Sequence, residues 1–451
     1  MAKGNGIIHG VIWKEVLLFF LPLTLGAFFQ HFYSIADTII VGKLLGTLEL
    51  SAVGGSASKL IVLLANFFLG VSIGITVICS RCFGQQDGER LKAVFANGLM
   101  FFSLAGIFLG IVGVYFARDL LLWMQTPPAT LEMACLYLRT YLAGIVFCIL
   151  YNLFSGVLRS LGDSKTPLLV LCFCSALNIL LDLFFTLGLG LNVFGIALAT
   201  VIAQAFSTII LLKLILKNYI PLKISDFSWN RQILQEICLL GIPAGLQSTM
   251  FSFSNIVVQS GVNSFGALSV ASWSIYGKID SILDVFVSSL GSTAITFVGQ
   301  NYGAERMDRV KQAVHQIIFI SYALVGVLVA GFLLSRAQVL ALFTYDEEVV
   351  SLGGQVMCIV LPMYLLNIPQ QIYSHALRGL GISFMPMVLS VFGIVGVRLV
   401  WIEYLLPLYP SLNFLGLCYP VSALLMSLIF AVYYYWSIAR LQGEPGLLEP
   451  C

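Results

Sequence analysis

Four residues could handle a cation together: Asp37, Asn178, Asp182 and Thr200. Asn178 and Asp182 stand one helical turn apart in SALNILLDLFF, residues 175–185, and residues four apart on a helix share a face. The same spacing aligns Gln30, Tyr33 and Asp37, and again Thr200 and Gln204, so that Gln30, Tyr33 and Gln204 extend the polar faces. Two carboxylates, an amide and a hydroxyl that are partly desolvated and mutually repelling can hold a proton near neutral pH. The same oxygen atoms could instead coordinate Na⁺. A plainer reading has each group bonding only to a neighbouring helix, a common role for Asn and Thr; it suits Thr200 or Gln204 taken alone, whereas Asp37 and Asp182 together point to function.

A second set lies further along, at Lys278, Asp280, Asp284 and Arg398. Asp280 and Asp284 are again one turn apart and could meet a cationic substrate. Equally, Asp280 could neutralise Lys278 or Arg398 across helices, and Arg398 could pair with Glu403. Both readings stand at this point.

Other chemistry is poorly served. The histidines His9, His31, His315 and His375 are scattered and form no metal or triad pattern. The ten cysteines show no ligand spacing and read as small packing residues. No catalytic set, cofactor or resident metal is expected, apart from a possible Na⁺ at Asp37, Asn178, Asp182 and Thr200, and an enzyme is not the reading.

The elements that position these residues are membrane helices. Of 451 residues, 59% are hydrophobic and 10% charged, against roughly 25% charged in a soluble domain. Runs long enough for a bilayer, about 20 residues, cover approximately 15–41, 51–79, 92–116, 131–158, 166–187, 193–217, 235–260, 268–298, 311–334, 348–377, 385–406 and 413–438. Alternating ten-residue barrel strands are absent. At 1.5 Å per residue, Asp182, Asp37 and Thr200 lie roughly 8, 6 and 10 Å from the same membrane face, one common level. Ionisable groups at such depth are costly and mark ion pathways.

Lys and Arg alternate from loop to loop. Sixteen, beginning with Lys3 and Lys14, fall on one side, and only Lys43, Arg118 and Arg336 on the other. This positive-inside pattern predicts a multi-pass cell (inner) membrane protein with both termini cytoplasmic. The first span reads as a retained helix rather than a signal peptide. The net charge of +2 gives no reason to expect a nucleic-acid partner.

SGVLRSLGDSKTP, from Ser155, recurs 219 residues later as SHALRGLGISFMP, matching at seven of thirteen positions. The same offset relates Gly84, Arg90 and Lys92 to Gly303, Arg309 and Lys311. Six spans per repeat is an even number, so both halves enter the membrane the same way, as parallel-repeat transporters do. The predicted fold is all-α integral membrane, with twelve transmembrane helices in two parallel six-helix lobes related by a pseudo-twofold axis along the membrane normal. The lobes fall at 1–217 and 233–451, with a polar cytoplasmic linker at 218–232. A cavity between lobes lined by Phe, Tyr and Met would suit bulky amphipathic ligands.

With ADTIIVGKLLG, GQNYGAERMDRVKQ, the paired RSLGDSKTP and RGLGISFMP, NILLD and ALATVIAQ in this order, the chain resembles the multidrug and toxic compound extrusion family, in particular its prokaryotic DinF-like branch. The resemblance implies an N-lobe cation site at Asp37, Asn178, Asp182 and Thr200. It implies an antiporter, coupled to H⁺ or Na⁺, that exports amphipathic, often cationic organic compounds by alternating access, working as a monomer among membrane lipids. One branch of the family bears a Glu in span seven after its proline, where this chain reads PAGLQSTMFSF from Pro243, which argues against a C-lobe Na⁺ site. The alternative, a lipid-linked precursor flippase of the same superfamily, needs a basic cavity for a pyrophosphate, and the spans hold few basic residues.

Overall fold

The computed structural model describes residues 5–443. Lys3, counted above, and the last residues of the second lobe, 444–451, lie outside them. Among the described residues the chain is helical with no strand. Ten helices are long and apolar enough to cross a membrane: Ile12–Leu45, Thr47–Gln85, Gly88–Trp123, Lys165–Gly188, Asn192–Asn218, Arg231–Asn263, Ala267–Gly303, Met307–Leu334, Phe384–Leu405 and Leu412–Gln442. Two bent pairs, Pro128–Ala143 with Ile145–Ser160 and Glu347–Val360 with Met363–Gly379, supply spans four and ten. The fold is therefore all-α and membrane-integral, with twelve spans in order.

The bends repeat with the sequence. Span four turns by 48° and span ten by 43°, at positions related by nearly the same offset as the sequence repeat. Gly144 occupies the first break, where a methyl carbon would fall 2.3 Å from Val201 Cγ1, and Pro362, which cannot donate to the helical ladder, occupies the second. Only Gly46, at φ +123°, separates spans one and two, a backbone angle that favours glycine.

The described residues form two compact units. One is Leu21–Gly245; the other joins Asn5–Phe20 to the stretch from Leu246 onward. Each unit thus takes in the opening turns of the span that belongs, by sequence repeat, to the other half.

Glycines close the first unit. Gly70 and Gly74 in span two face Gly241 and Gly245 in span seven, two GxxxG pairs in contact. A methyl carbon on Gly70 would come 2.5 Å from Gly245 Cα, and one on Gly74 2.7 Å from Gly241 N. Small residues at this spacing let helix backbones approach directly, which is how spans adhere where lipid offers no hydrophobic drive. The polar segment ahead of span seven is pinned to the same unit. Tyr219 Oη donates to Asp163 Oδ2 at 2.7 Å, Asn97 Nδ2 donates to Ser228 O at 3.0 Å, and Asn230 N donates to Asn97 Oδ1 at 2.9 Å. Arg90 pairs with Glu236 at 3.0 Å.

The second unit holds the chain's first helix, Asn5–His9, in the corresponding way. Arg309 Nη2 donates to Ile7 O at 3.1 Å and Gly10 O at 2.9 Å. Arg306 Nη1 donates to Ile8 O at 2.8 Å. These carbonyls at the end of a short helix lack intrahelical partners, and a cation there satisfies them. Arg90 and Arg309, equivalent in the repeat, therefore each hold the entry to a first span, Arg90 the opening turns of span seven and Arg309 the short helix ahead of span one.

Candidate functional site

Span five positions the centre of the site. Asn178 and Asp182 are both wholly buried (0% exposed), on the helix face turned toward spans one and six. In the amide orientation that matches its neighbours, Asn178 donates to Asp37 Oδ1 at 3.0 Å and to Asp182 Oδ2 at 3.2 Å, and accepts from Thr200 N at 3.2 Å. The Thr200 hydroxyl donates to Ile196 O at 3.0 Å and accepts from Tyr33 Oη at 3.4 Å. One amide nitrogen reaching both acids brings the Asp37 and Asp182 carboxylates together. All four residues chosen by face and depth thus meet at one place. Asp182 Oδ1 is buried with no hydrogen-bond partner, and an oxygen in that state is costly unless a proton or cation satisfies it.

The flanking residues separate. Tyr33 joins the cluster through Thr200. Gln204 turns instead to span four, where its Nε2 donates to Tyr141 Oη at 3.1 Å. Gln30 is exposed and takes no part in these bonds. Tyr137 of span four lies within electrostatic reach of both carboxylates and escaped the sequence reading. Its signal was the one-turn spacing from Tyr141, which looks like ordinary interface aromatics.

Among its described residues the second unit has no counterpart cluster. Asp280 is held by two tyrosines, Tyr276 Oη at 2.7 Å and Tyr364 Oη at 2.8 Å, and forms no ion pair with Lys278 or Arg398. Asp284 is exposed and makes no hydrogen bond among the described residues. Arg398 does not pair with Glu403, which sits exposed in the π-helical turn Trp401–Leu405. Its guanidinium reaches span seven instead, donating to Ser254 Oγ at 3.3 Å and Asn255 Oδ1 at 3.2 Å, and lies 4.1 Å over the Tyr419 ring, a cation–π contact. In span seven, Gln247 Oε1 accepts from Arg378; a guanidinium beside this amide disfavours a metal cation there. Among the described residues no group of three or more His, Cys, Asp or Glu could hold a metal ion.

Two six-span repeats, one with an acid cluster inside its helices, define a membrane transporter by architecture. The MatE family model matches residues 22–184 and 243–402, one match per repeat, each starting at a proline. The probable multidrug resistance protein YoeA of Bacillus subtilis (strain 168) is 31% identical over 97% of this chain and 96% of its own. The multidrug export protein MepA of Staphylococcus aureus (strain MSSA476) is 24% identical over 82% of each chain. Among solved structures, the outward-facing conformation of a multidrug resistance MATE family transporter gives a TM-score of 0.90 over 98% of this chain and 99% of that one, at 23% identity. A crystal structure of MATE in the straight conformation gives 0.89, also at 23% identity, over 98% of this chain and 100% of that one; at such identity these likenesses show the fold. The chain belongs to the MatE family, the multidrug and toxic compound extrusion transporters.

Proposed function

We propose that this transporter is a cation-coupled antiporter that exports amphipathic, often cationic organic compounds by exposing its sites alternately to the two sides of the cell membrane, with both termini cytoplasmic. The observation that carries this reading is the buried junction of Asp37, Asn178, Asp182 and Thr200, with a bare oxygen on Asp182. Relatives named for multidrug resistance and export support the cargo class.

H⁺ suits the pair as coupling ion: Asp182 is wholly buried with a bare oxygen, and two carboxyl groups brought together out of water can share a proton. A Na⁺ ion would need several oxygen ligands turned inward at once, as a hard cation takes them. Loading the pair from outside and emptying it inside couples to cargo if cation and cargo stabilise different conformations.

Reconstituted protein should export a fluorescent organic cation from vesicles under an imposed pH gradient at fixed Na⁺. Export that follows a Na⁺ gradient at fixed pH would overturn the proton assignment. Indifference to both gradients would remove the coupling reading altogether.

A further inference from the structure

The second unit buries a guanidinium and gives it no acid. Arg378 stands one residue before the end of Met363–Gly379 and is 5% exposed. Its Nη2 donates to Gln247 Oε1, and Gln247 Nε2 donates onward to Ser390 Oγ at 2.8 Å. Its Nε is buried with no partner. One turn back along the same face, the Ser374 hydroxyl is also buried and bare, and so is that of Ser383 in the turn that follows the helix.

Among the described residues of the second unit no carboxylate is at hand. The second-unit stretches 363–379, 384–390, 246–263, 418–442 and, where Gly379 packs on Ile295 and Val298, 291–303 contain no Asp or Glu, and Met307–Leu334, which also packs on this helix, has only Asp308, in its first turn and exposed. The three ion pairs among the described residues do not include Arg378. His375, on the same part of the helix, uses Nδ1 on Gln371 O at 2.7 Å, and the Tyr373 hydroxyl meets that of Tyr435 at 3.4 Å; neither brings a negative charge.

Arginine stays protonated in proteins, and a buried charge without a counter-charge is strongly unfavourable. A neutral amide supplies one acceptor and leaves Nε and the nearby hydroxyls as donors with nothing to receive them. We propose that Arg378 and Ser374 bind a small monovalent inorganic anion, of the size and charge of chloride, as the missing counter-ion of the second unit. A compact ion that only accepts hydrogen bonds matches a donor set of N–H and O–H groups.

The test uses full-length protein in detergent with chloride replaced by gluconate. Adding chloride or bromide should raise the melting temperature saturably, and crystals grown in bromide should show an anomalous-scattering peak in contact with Arg378 Nε. Ser374→Ala should melt normally in gluconate yet need at least ~10-fold more halide for half the effect, the factor expected from one hydrogen bond to a charged group. Arg378→Gln should lose the halide response; should that variant not fold, the bromide peak and Ser374→Ala decide. A bromide-grown crystal with no peak at Arg378, or a halide response that Ser374→Ala leaves unchanged, would overturn the proposal.

Discussion

Asp37 and Asp182 share the Asn178 amide, which donates to an oxygen of each, and this joint arrangement sets what their substitution should do. Asp37 is half-buried, and Asp182 is wholly enclosed with its second oxygen bare. Asp182→Asn keeps the shape and removes the titrating group, so uphill export in vesicles should collapse to simple equilibration while expression and melting stay near the parent's. Asp37→Asn should do the same, and Thr200→Ala should only weaken export, because its hydroxyl carries no proton to exchange. Infrared difference spectra should show a protonated-carboxyl band at neutral pH in the parent that Asp182→Asn lacks and that Na⁺ leaves unmoved. A band that persists in the variant would exclude Asp182 as the proton carrier. At this scale the cluster was legible in the sequence because helical spacing and depth are simple arithmetic. The direction of Arg398 was not, since proximity along the chain suggested Glu403 while the side chain follows span seven and Tyr419.

Glycine pairs and arginine clasps decide how the helices hold together. Val in place of Gly74 would press a branched side chain against Gly241 N and Ile237 O. Overpacking of this kind costs about 1–3 kcal/mol, and direct backbone contact leaves the neighbour little freedom to yield. The melting temperature of Gly74→Val should fall clearly, whereas Gly190→Ala, in a turn with open space around it, should report only its local backbone strain. Arg309→Ala removes two charge-assisted bonds to the end of Asn5–His9. Amide exchange over residues 5–10 should then quicken by at least ~10-fold, and an unchanged rate would mean that Arg306 alone holds the helix. Neither device stood out in the sequence. Glycine is ordinary in membrane helices, and the partners of Arg309 are backbone carbonyls 302 and 299 positions away, which no residue type announces.

The whole molecule is a duplication whose halves have kept their bends and clasps but not their charges. Where the first half has Asp182, the second has Trp401 at the repeat offset, and where the first has Asp163 capping span five, the second has Ile382. The repeat itself was plain in RSLGDSKTP and RGLGISFMP; the exchange of opening turns was not, because a repeat shows which segments are alike and not which ones pack together. That exchange bears on the order of synthesis. As the chain emerges from the ribosome, spans one to six precede residues 231–245, so the glycine face of span two has nothing to close upon until the seventh span arrives. The helix Asn5–His9, made first, waits for Arg309, made much later. Halting translation after residue 217 should therefore leave a nascent product that membrane proteases clear, and extending it to residue 263 should let it persist. Pulse-chase decay of the two lengths measures this, and equal lifetimes would show that the first six spans complete themselves.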